Sequence, residues 1–494
     1  MRAPLRTVRL PGIVVFALTL AVLAGAALAR PALAPSGLLR DFNAFYCAGT
    51  ALAARRDPYM ADPLGRCERA PRPHVLFAAP PRLALPAPLP PYALAPFVAI
   101  ARLPYPTAGI LWSLVLAAAV AVAVAATRRA TGLPVLAVAA AFVLGDGYAA
   151  AALGQVAPIA VAAIALCAMW LRQGRDEAAA LAAACATIEP HLGLPVCVAL
   201  AFARYRTWTT LAAAGLGCAF ASLALAGVPV TLEYLARVVP AHALSEVANA
   251  KQFSLTYALH RLGASDAAAV RAGELQYACA LVAGVWLGRR IARRRENDAY
   301  LAAIPAAFAV LGGPFVHVSQ LAAALPAALL LYADARGRAR PAVAVATLTL
   351  AIPWVQFADL GLVFAPLAAV TATALLASLR PGRPLDALLA GIAALAFVEG
   401  CIAALVPGPH VALGLGGDDA RTLAEGAWTR YVREAGTANA FALDVAKLPS
   451  VAGLIAIAAA GVSAALRPVG RAPRIAEGGK GAADSRRTAF RSPT

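Results

Sequence analysis

Charged residues are scarce in this sequence, at 14% of 494 residues, whereas hydrophobic residues make up 61%. A soluble domain has about 25% charged and 45–50% apolar residues. This composition, with a mean hydropathy of +0.72, excludes a soluble enzyme. The 37 Pro and 38 Gly are spread through apolar runs, which excludes a disordered linker protein and collagen. We therefore predict an all-α polytopic membrane protein.

Several chemical signatures are also missing. The eight Cys form no Cys-x-x-Cys pair and no His/Cys cluster at zinc spacing, so we expect no structural metal. The chain has no Gly-x-x-x-x-Gly-Lys-Ser/Thr, and the segments predicted to lie outside the membrane have no Asp-x-Asp. The usual residues of ATP hydrolysis and of metal-dependent sugar-nucleotide chemistry are thus absent, and we expect no cofactor.

Apolar runs alternate with basic clusters along the chain, which predicts about 12–14 transmembrane helices. The runs cover 10–29, 105–126, 133–152, 156–171, 178–189, 191–203, 208–226, 274–291, 299–315, 318–333, 342–357, 360–379, 385–406 and 449–466. Basic clusters fall on every second connection. The segments assigned to the cytoplasm hold 26 of the 43 Lys and Arg residues but only 8 of the 25 acidic ones. The positive-inside rule then places both termini in the cytoplasm, and we expect a multi-pass protein of a bacterial inner membrane. The excess positive charge therefore reflects membrane orientation and not nucleic-acid binding.

The charge pattern also divides the chain into regions. We predict a first transmembrane helix at 1–30, an extracytoplasmic segment at 31–104, a membrane core at 105–333, C-terminal membrane helices at 334–466 with an outer loop at 407–448, and a basic cytoplasmic tail at 467–494. The outer segments 31–104, 227–273 and 407–448 are expected to form a cap. Residues 60 and 430 should lie outside the membrane, and residues 292 and 480 inside.

Two of the apolar runs are too short to cross a bilayer alone. The runs 178–189 and 191–203 lie between two cytoplasmic basic clusters, so we predict two half-length helices that meet at Glu189-Pro190-His191. Non-helical backbone at membrane depth is tolerated where protein or a water-filled cavity covers it. Such a break often lines a site.

Cys47 and Cys67 are the only two cysteines of the first outer segment. That segment faces an oxidising compartment in the predicted topology, so a disulfide between them is one expectation. Two buried free thiols are the alternative.

The first outer segment also carries a conspicuous acidic residue, Asp41. It opens the run Asp41-Phe-x-x-Phe-Tyr-x-Ala-Gly-x-Ala-Leu, which continues to Asp57-Pro-Tyr59. Taken alone, Asp41 fits an N-terminal helix cap. Further short motifs follow in order: Leu89-Pro-Pro-Tyr, Gly154-Gln155, Pro190-His191-Leu192, Asn249-x-x-x-x-Ser254-Leu255 and His317-x-x-x-Leu321. Together they resemble glycosyltransferase family 87, a group of multi-spanning GT-C enzymes. Glu189 stands where the family usually has Lys.

The resemblance implies a GT-C-like bundle that transfers a hexose, with mannose favoured, from a polyprenyl-phosphate donor to a lipid or glycan acceptor. Transfer would occur with inversion on the extracytoplasmic face, and Asp41 would be the general base. The candidates for binding the donor phosphate or substrate are His317, His191, Lys251, Asn249, Gln155 and Tyr59, with His260 as a further cation. His317 also fits a membrane-interface histidine, and Lys251 and His260 also fit solvated loop residues.

A secondary transporter or lipid flippase is the alternative function, because broken helices suit a translocation path. Few buried ionisable residues mark such a path, the main ones being Asp146, Asp359 and Glu399. A structural membrane subunit would leave the Asp41 motif unexplained.

Overall fold

The computed structural model describes residues 39–70, 84–337, 339–355, 422–436 and 440–466. Within these ranges the chain is helical. The helices are α1 Phe42–Ala53, α2 Ala61–Glu68, α3 Ala95–Ile100, α4 Tyr105–Thr131, α5 Val135–Tyr148, α6 Ala157–Arg172, α7 Asp176–Cys185, α8 Pro190–Ala203, α9 Trp208–Glu233, α10 Val239–Glu246, α11 Leu255–Arg261, α12 Asp266–Arg295, α13 Tyr300–Gly312, α14 Leu325–Asp334, α15 Ala339–Ala351, α16 Ala424–Gly436 and α17 Ala440–Leu466. The predictions for 1–30, 360–379, 385–406, 467–494, Asp359 and Glu399, and that for most of the loop 407–448, lie outside the described residues.

Local signals explain where the long helices begin and end. α4 follows Pro104, carries Pro106 in its first turn, and ends at Gly132, which has a left-handed φ of 74°. Proline in the first turn and glycine just after the last are the usual pair of boundary residues. α12 begins after Ser265, whose hydroxyl accepts a hydrogen bond from the Ala268 N–H. α12 therefore begins eight residues before the apolar run 274–291, with Ser265 as its polar cap, and it ends at Arg295, before the left-handed Glu296.

The helices differ greatly in length and burial. Three helical stretches in the described ranges are long and apolar enough to cross a membrane, namely Tyr105–Thr131, Tyr205–Glu246 and Leu443–Leu466. By contrast, α6 has 16 residues and α13 has 13, about 24 and 20 Å at 1.5 Å per residue. Twelve of the 16 residues of α6 and 12 of the 13 residues of α13 are buried, so these helices form the inside of the bundle. The all-α membrane architecture is confirmed, and the count of 12–14 spans stays a prediction.

The predicted break at Glu189-Pro190-His191 is confirmed as the turn of a helical hairpin. α7 passes through a 3-10 turn at Ala186–Ile188, and Glu189 is extended, with φ −111° and ψ 91°. α8 then packs back against α7, so that the start of α7 contacts the turn Tyr205–Thr207 that follows α8. Gly193 permits this close return, because a Cβ there would collide with the Ala186 and Thr187 backbone.

The bundle has two distinct ends. At one, here called the basic end, Arg172 donates to the Ala130 carbonyl, Arg204 pairs with Asp298, and Arg290 donates to the Ala465 carbonyl at 2.9 Å. The other, the cap end, joins the outer segments: Met60 forms an isolated bridge with Leu423, and Arg433 pairs with Asp266 at 2.6 Å. The charge pattern assigned these two sets of residues to opposite sides of the membrane.

This arrangement gives a topology prediction. In a variant otherwise lacking reactive cysteines, Arg430→Cys should react with an impermeant maleimide from outside intact cells, whereas Arg293→Cys should react only after permeabilisation. Both side chains are exposed, so burial does not hide either one. Labelling of position 293 from outside intact cells would show that the protein has the opposite orientation.

The Sγ atoms of Cys47 and Cys67 are bonded, with 5.6 Å between the Cα atoms, and the bond joins α1 to α2. It closes a 20-residue separation, which the chain-entropy account values at about 3 kcal/mol of unfolding free energy. We expect Cys47→Ser/Cys67→Ser to lose about that much, whereas Cys279→Ser, an exposed free cysteine, should lose little. Intact-mass analysis after alkylation without reductant is the direct check, and modification of both cysteines would exclude the bond.

Candidate functional site

Asp41 does not serve as a helix cap. It immediately precedes α1, with φ −84° and ψ −20°, and its side chain makes no capping hydrogen bond. Instead, Oδ2 accepts a hydrogen bond of 2.6 Å from Gln155 Nε2, while the Asp41 N–H donates to the Leu153 carbonyl at 2.8 Å. The two predicted site residues Asp41 and Gln155 therefore lie side by side.

Gly154 explains why a Gly-Gln pair is needed beside Asp41. Its φ is +71°, and a Cβ there would lie 2.9 Å from Phe42 Cβ and 3.0 Å from Leu39 Cδ2. Its carbonyl accepts a hydrogen bond of 2.8 Å from Trp112 Nε1. Trp112 stacks on Phe42, with ring centroids 6.0 Å apart. A buried aromatic wall thus fixes the backbone that presents Gln155 to Asp41.

A second group of polar side chains surrounds Glu246, at the end of α10. Glu246 is 2% exposed. Its Oε2 accepts hydrogen bonds from Asn249 Nδ2 at 2.7 Å and Gln252 Nε2 at 2.8 Å, and its Oε1 accepts one from Trp428 Nε1 at 2.5 Å. His317 Nε2 lies 3.4 Å from Oε2. The Glu246 carboxylate therefore contacts three parts of the chain, which are the loop that follows α10, the helix α16, and the segment that precedes Val318.

His317 lies among opposing influences. Burial favours its neutral ring, but the charge and hydrogen bond of Glu246, with smaller contributions from Asp41 and Glu189, together outweigh burial and raise the pKa of His317. His317 therefore takes up a proton more readily than a free imidazole, and the Asp41 charge contributes to this. The Gln252 amide lies beside the ring, with its Nε2 2.8 Å from His317 Nε2 and its Oε1 accepting from the Val316 N–H at 2.6 Å. This environment is more specific than the membrane-interface histidine considered from the sequence.

Gln320 connects His317 to the hairpin turn. Its Oε1 accepts from the His317 N–H at 2.8 Å, and its Nε2 donates to Glu189 Oε2 at 3.3 Å. The same Glu189 oxygen is 3.6 Å from His191 Nδ1. His191 Nε2 is buried and has no hydrogen-bond partner among the described residues. Glu189 therefore positions neighbouring side chains, which is a different role from that of a phosphate-binding Lys.

The remaining candidates lie apart or act through the backbone. The Lys251 N–H donates to Asn249 Oδ1 at 3.0 Å, which braces the loop. Tyr59 is 1% exposed, donates to the Leu89 carbonyl at 2.8 Å, and packs on Tyr234. His260 pairs with Asp266 at 3.0 Å in the cap. In the described part of the chain, no group of three or more His, Cys, Asp or Glu side chains is arranged to hold a metal ion.

The sequence reasoning missed Glu246, Gln252, Gln320 and Trp428. An acid in a predicted outer loop fits a solvated residue, so Glu246 gave no strong signal. The spacing Glu246-x-x-Asn249-x-x-Gln252 was the one available hint. It places three polar side chains just after a long apolar stretch, with the acid three residues before the candidate Asn249.

Comparison with known proteins gives one match. Residues 89–314 match glycosyltransferase family 87, which confirms the resemblance and indicates a glycosyltransferase. No curated protein and no solved structure is significantly similar to the chain. The matched range includes Gln155, His191 and Glu246, whereas Asp41 precedes it and His317 follows it.

Proposed function

We propose that this chain, whose residues 89–314 match glycosyltransferase family 87, is an inverting hexosyltransferase that uses a polyprenyl-phosphate sugar. Mannose is the favoured sugar, and the acceptor is a lipid or glycan. The reaction takes place on the extracytoplasmic face of a bacterial inner membrane, at the cap end of the bundle. Asp41 is the general base.

One observation carries this proposal: His317 Nε2 lies 3.4 Å from the Glu246 carboxylate, whose negative charge, with a smaller contribution from Asp41, raises the pKa of the ring. An inverting transfer needs a base for the acceptor hydroxyl on one face of the sugar and stabilisation of the departing phosphate on the other. The Asp41 carboxylate and a histidine with a raised pKa supply these two groups. A base without a cation would leave the phosphate charge uncompensated.

Asp41 is held in a suitable position for the base. Gln155 donates to Oδ2 through its 2.6 Å hydrogen bond, and Oδ1 accepts the proton of the acceptor hydroxyl. The Asp41 N–H is tied to the Leu153 carbonyl at 2.8 Å. The proton moves from the acceptor hydroxyl to Asp41 as the hydroxyl oxygen bonds to the anomeric carbon and the carbon–phosphate oxygen bond breaks.

The donor phosphate is assigned to the His317 side. His317 Nε2 lies 3.4 Å from Glu246 Oε2, and its raised pKa favours the protonated ring that a phosphate needs. The unpartnered His191 Nε2 supplies a second polar group close to Glu189. Asn249 and Gln252 hold Glu246 in place. The isoprenoid chain lies outside the bundle, where α9 exposes apolar side chains such as Leu216 and Phe220.

The donor class can be tested directly. Membranes containing the protein are incubated with labelled polyprenyl-phosphate mannose or with the same label on a nucleotide sugar, and the label is followed into lipid and glycan fractions. We expect protein-dependent transfer only from the polyprenyl donor. Equal transfer from the nucleotide sugar, with polyprenyl-phosphate mannose synthesis blocked, contradicts the proposal.

The charge on His317 gives a pH prediction. Because its pKa is raised by Glu246, transfer should fall as the pH rises through that value and the ring loses its proton. Glu246→Gln removes the carboxylate, so the pKa of His317 drops and this alkaline limb should move to lower pH. Glu425→Gln is the control, because Glu425 lies in the cap without contributing to His317. If the fall in transfer at alkaline pH occurred at the same pH in Glu246→Gln, titration of His317 would not be its cause.

One feature favours the alternative of a transporter or flippase. Asp146 in α5 is completely buried, and both of its carboxylate oxygens lack a hydrogen-bond partner among the described residues. An intramembrane acid of this kind often marks an ion path. A transporter predicts that Asp146→Asn stops movement of a labelled polyprenyl lipid across proteoliposomes while the protein shows no sugar transfer.

A further inference from the structure

A groove lies between α8 and α12 at the basic end of the bundle, away from Asp41 and His317. Its volume is about 660 Å³. Phe202 of α8 and Trp286 of α12 belong to its apolar part, and both are more than half exposed. None of the described residues that line the groove is acidic. Four are arginines: Arg289, Arg290, Arg293 and Arg294.

The arginines lie on one face of α12. They follow Trp286 by three, four, seven and eight residues, which is the spacing of a single helical stripe. Val282 continues the stripe toward the middle of the helix and is 66% exposed. The lining from Leu281 to Arg294 therefore extends about 20 Å along the axis, apolar at one end and basic at the other.

Two features prepare this surface for an anion. Arg290 Nε donates to the Ala465 carbonyl at 2.9 Å, and its guanidinium lies 5.3 Å from the centre of the Trp286 ring. Its position is therefore fixed before any ligand arrives. Arg289 and Arg293 are like charges at i, i+4, which repel each other, and an anion between them would relieve that repulsion.

The geometry points to an anionic phospholipid of the cytoplasmic leaflet as the occupant of this groove. Guanidinium groups bind phosphate oxygens in bidentate pairs, and the apolar part accepts an acyl chain beside Phe202 and Val282. The length of about 20 Å matches one leaflet, headgroup included. A free anion would use the arginines and leave the apolar lining empty. Basic pockets between membrane helices on this side commonly hold such headgroups.

The positive-inside rule requires basic residues on the cytoplasmic side but does not require them to line a groove. Arg128 and Arg129, at the end of α4, are also exposed at the basic end but do not line the groove. They provide a matched control, because Arg128→Gln/Arg129→Gln removes the same charge as Arg289→Gln/Arg293→Gln.

The test uses the purified full-length protein in neutral detergent, titrated with phosphatidylglycerol or with phosphatidylcholine of the same acyl chains, and bound lipid is counted by native mass spectrometry. We expect tighter binding of phosphatidylglycerol. Arg289→Gln/Arg293→Gln should weaken it about 25-fold, roughly fivefold for each basic side chain, and Arg128→Gln/Arg129→Gln should not change it. Trp286→Ala should weaken the binding of both lipids, because it removes an apolar contact with the acyl chain.

Specific results would overturn the assignment. They are equal binding of the two lipids, equal loss in the two double variants, or displacement of phosphatidylglycerol by 10 mM inorganic phosphate, which would identify a simple anion site. Melting temperatures of the variants establish that each is folded. If the Gln pair does not fold, the exposed single variant Arg293→Gln replaces it, with an expected fivefold loss.

Discussion

Asp41→Asn should reduce sugar transfer by a factor of 10² to 10⁴, the range for loss of a general base. The amide has nearly the shape of the carboxylate, and its oxygen can still accept the 2.6 Å hydrogen bond from Gln155. It cannot accept the proton of the acceptor hydroxyl. The fold should therefore survive while the chemical step fails. The measurement is the initial rate of label transfer by purified variant and wild-type protein at equal amounts.

Asp62→Asn is the matched control for that experiment. Asp62 lies in the same outer segment and pairs with the exposed Arg66 at 2.7 Å, a surface ion pair worth little. Its variant should transfer sugar at nearly the wild-type rate. Near-normal transfer by a folded Asp41→Asn protein would show that Asp41 is not the general base. A loss of transfer would not reflect a lost helix cap, because the Asp41 side chain makes no capping hydrogen bond.

His317→Ala should reduce turnover by about 10² to 10³, the typical cost of removing one preorganised group that stabilises developing charge. Glu246 keeps its hydrogen bonds from Asn249, Gln252 and Trp428, so the buried carboxylate stays satisfied and the fold should persist. The loss should be smaller for a donor whose leaving phosphate is a weaker base. A structural role for His317 would lower the rates of both donors equally.

His260→Ala is the control for His317. His260 also has a carboxylate partner, Asp266 at 3.0 Å, but it lies in the cap and is not one of the polar side chains that surround Glu246. Its loss should leave turnover within about twofold of wild type, because surface ion pairs contribute little. Comparable losses in the two variants would show that any histidine removed from the cap disturbs the protein.

The helices of the described core could be predicted because a bilayer demands long apolar runs. The run 156–171 corresponds to α6, and the runs around Glu189 correspond to the two halves of the hairpin. The helix ends were less predictable, since polar caps such as Ser265 extend a helix beyond its apolar part. α13 begins one residue after the start of the run 299–315 and ends three residues before its end, at Gly312.

The site was predictable only in part. Asp41 and Gln155 were each singled out from the sequence, yet their contact joins residues 114 positions apart and depends on the left-handed backbone of Gly154. Glu246 became recognisable through its contacts with His317 and with Trp428, which is 182 residues away. Long-range contacts of this kind leave no periodic pattern in a sequence, whereas helices do.

The most direct test of the proposed reaction uses the purified protein in proteoliposomes, with labelled polyprenyl-phosphate mannose and a membrane glycolipid extract as acceptor. The configuration of the new glycosidic bond and the amount of released polyprenyl phosphate are measured together. The proposed reaction predicts an inverted anomeric centre and one polyprenyl phosphate released for each sugar transferred. A retained configuration, or transferred sugar without released polyprenyl phosphate, would contradict it.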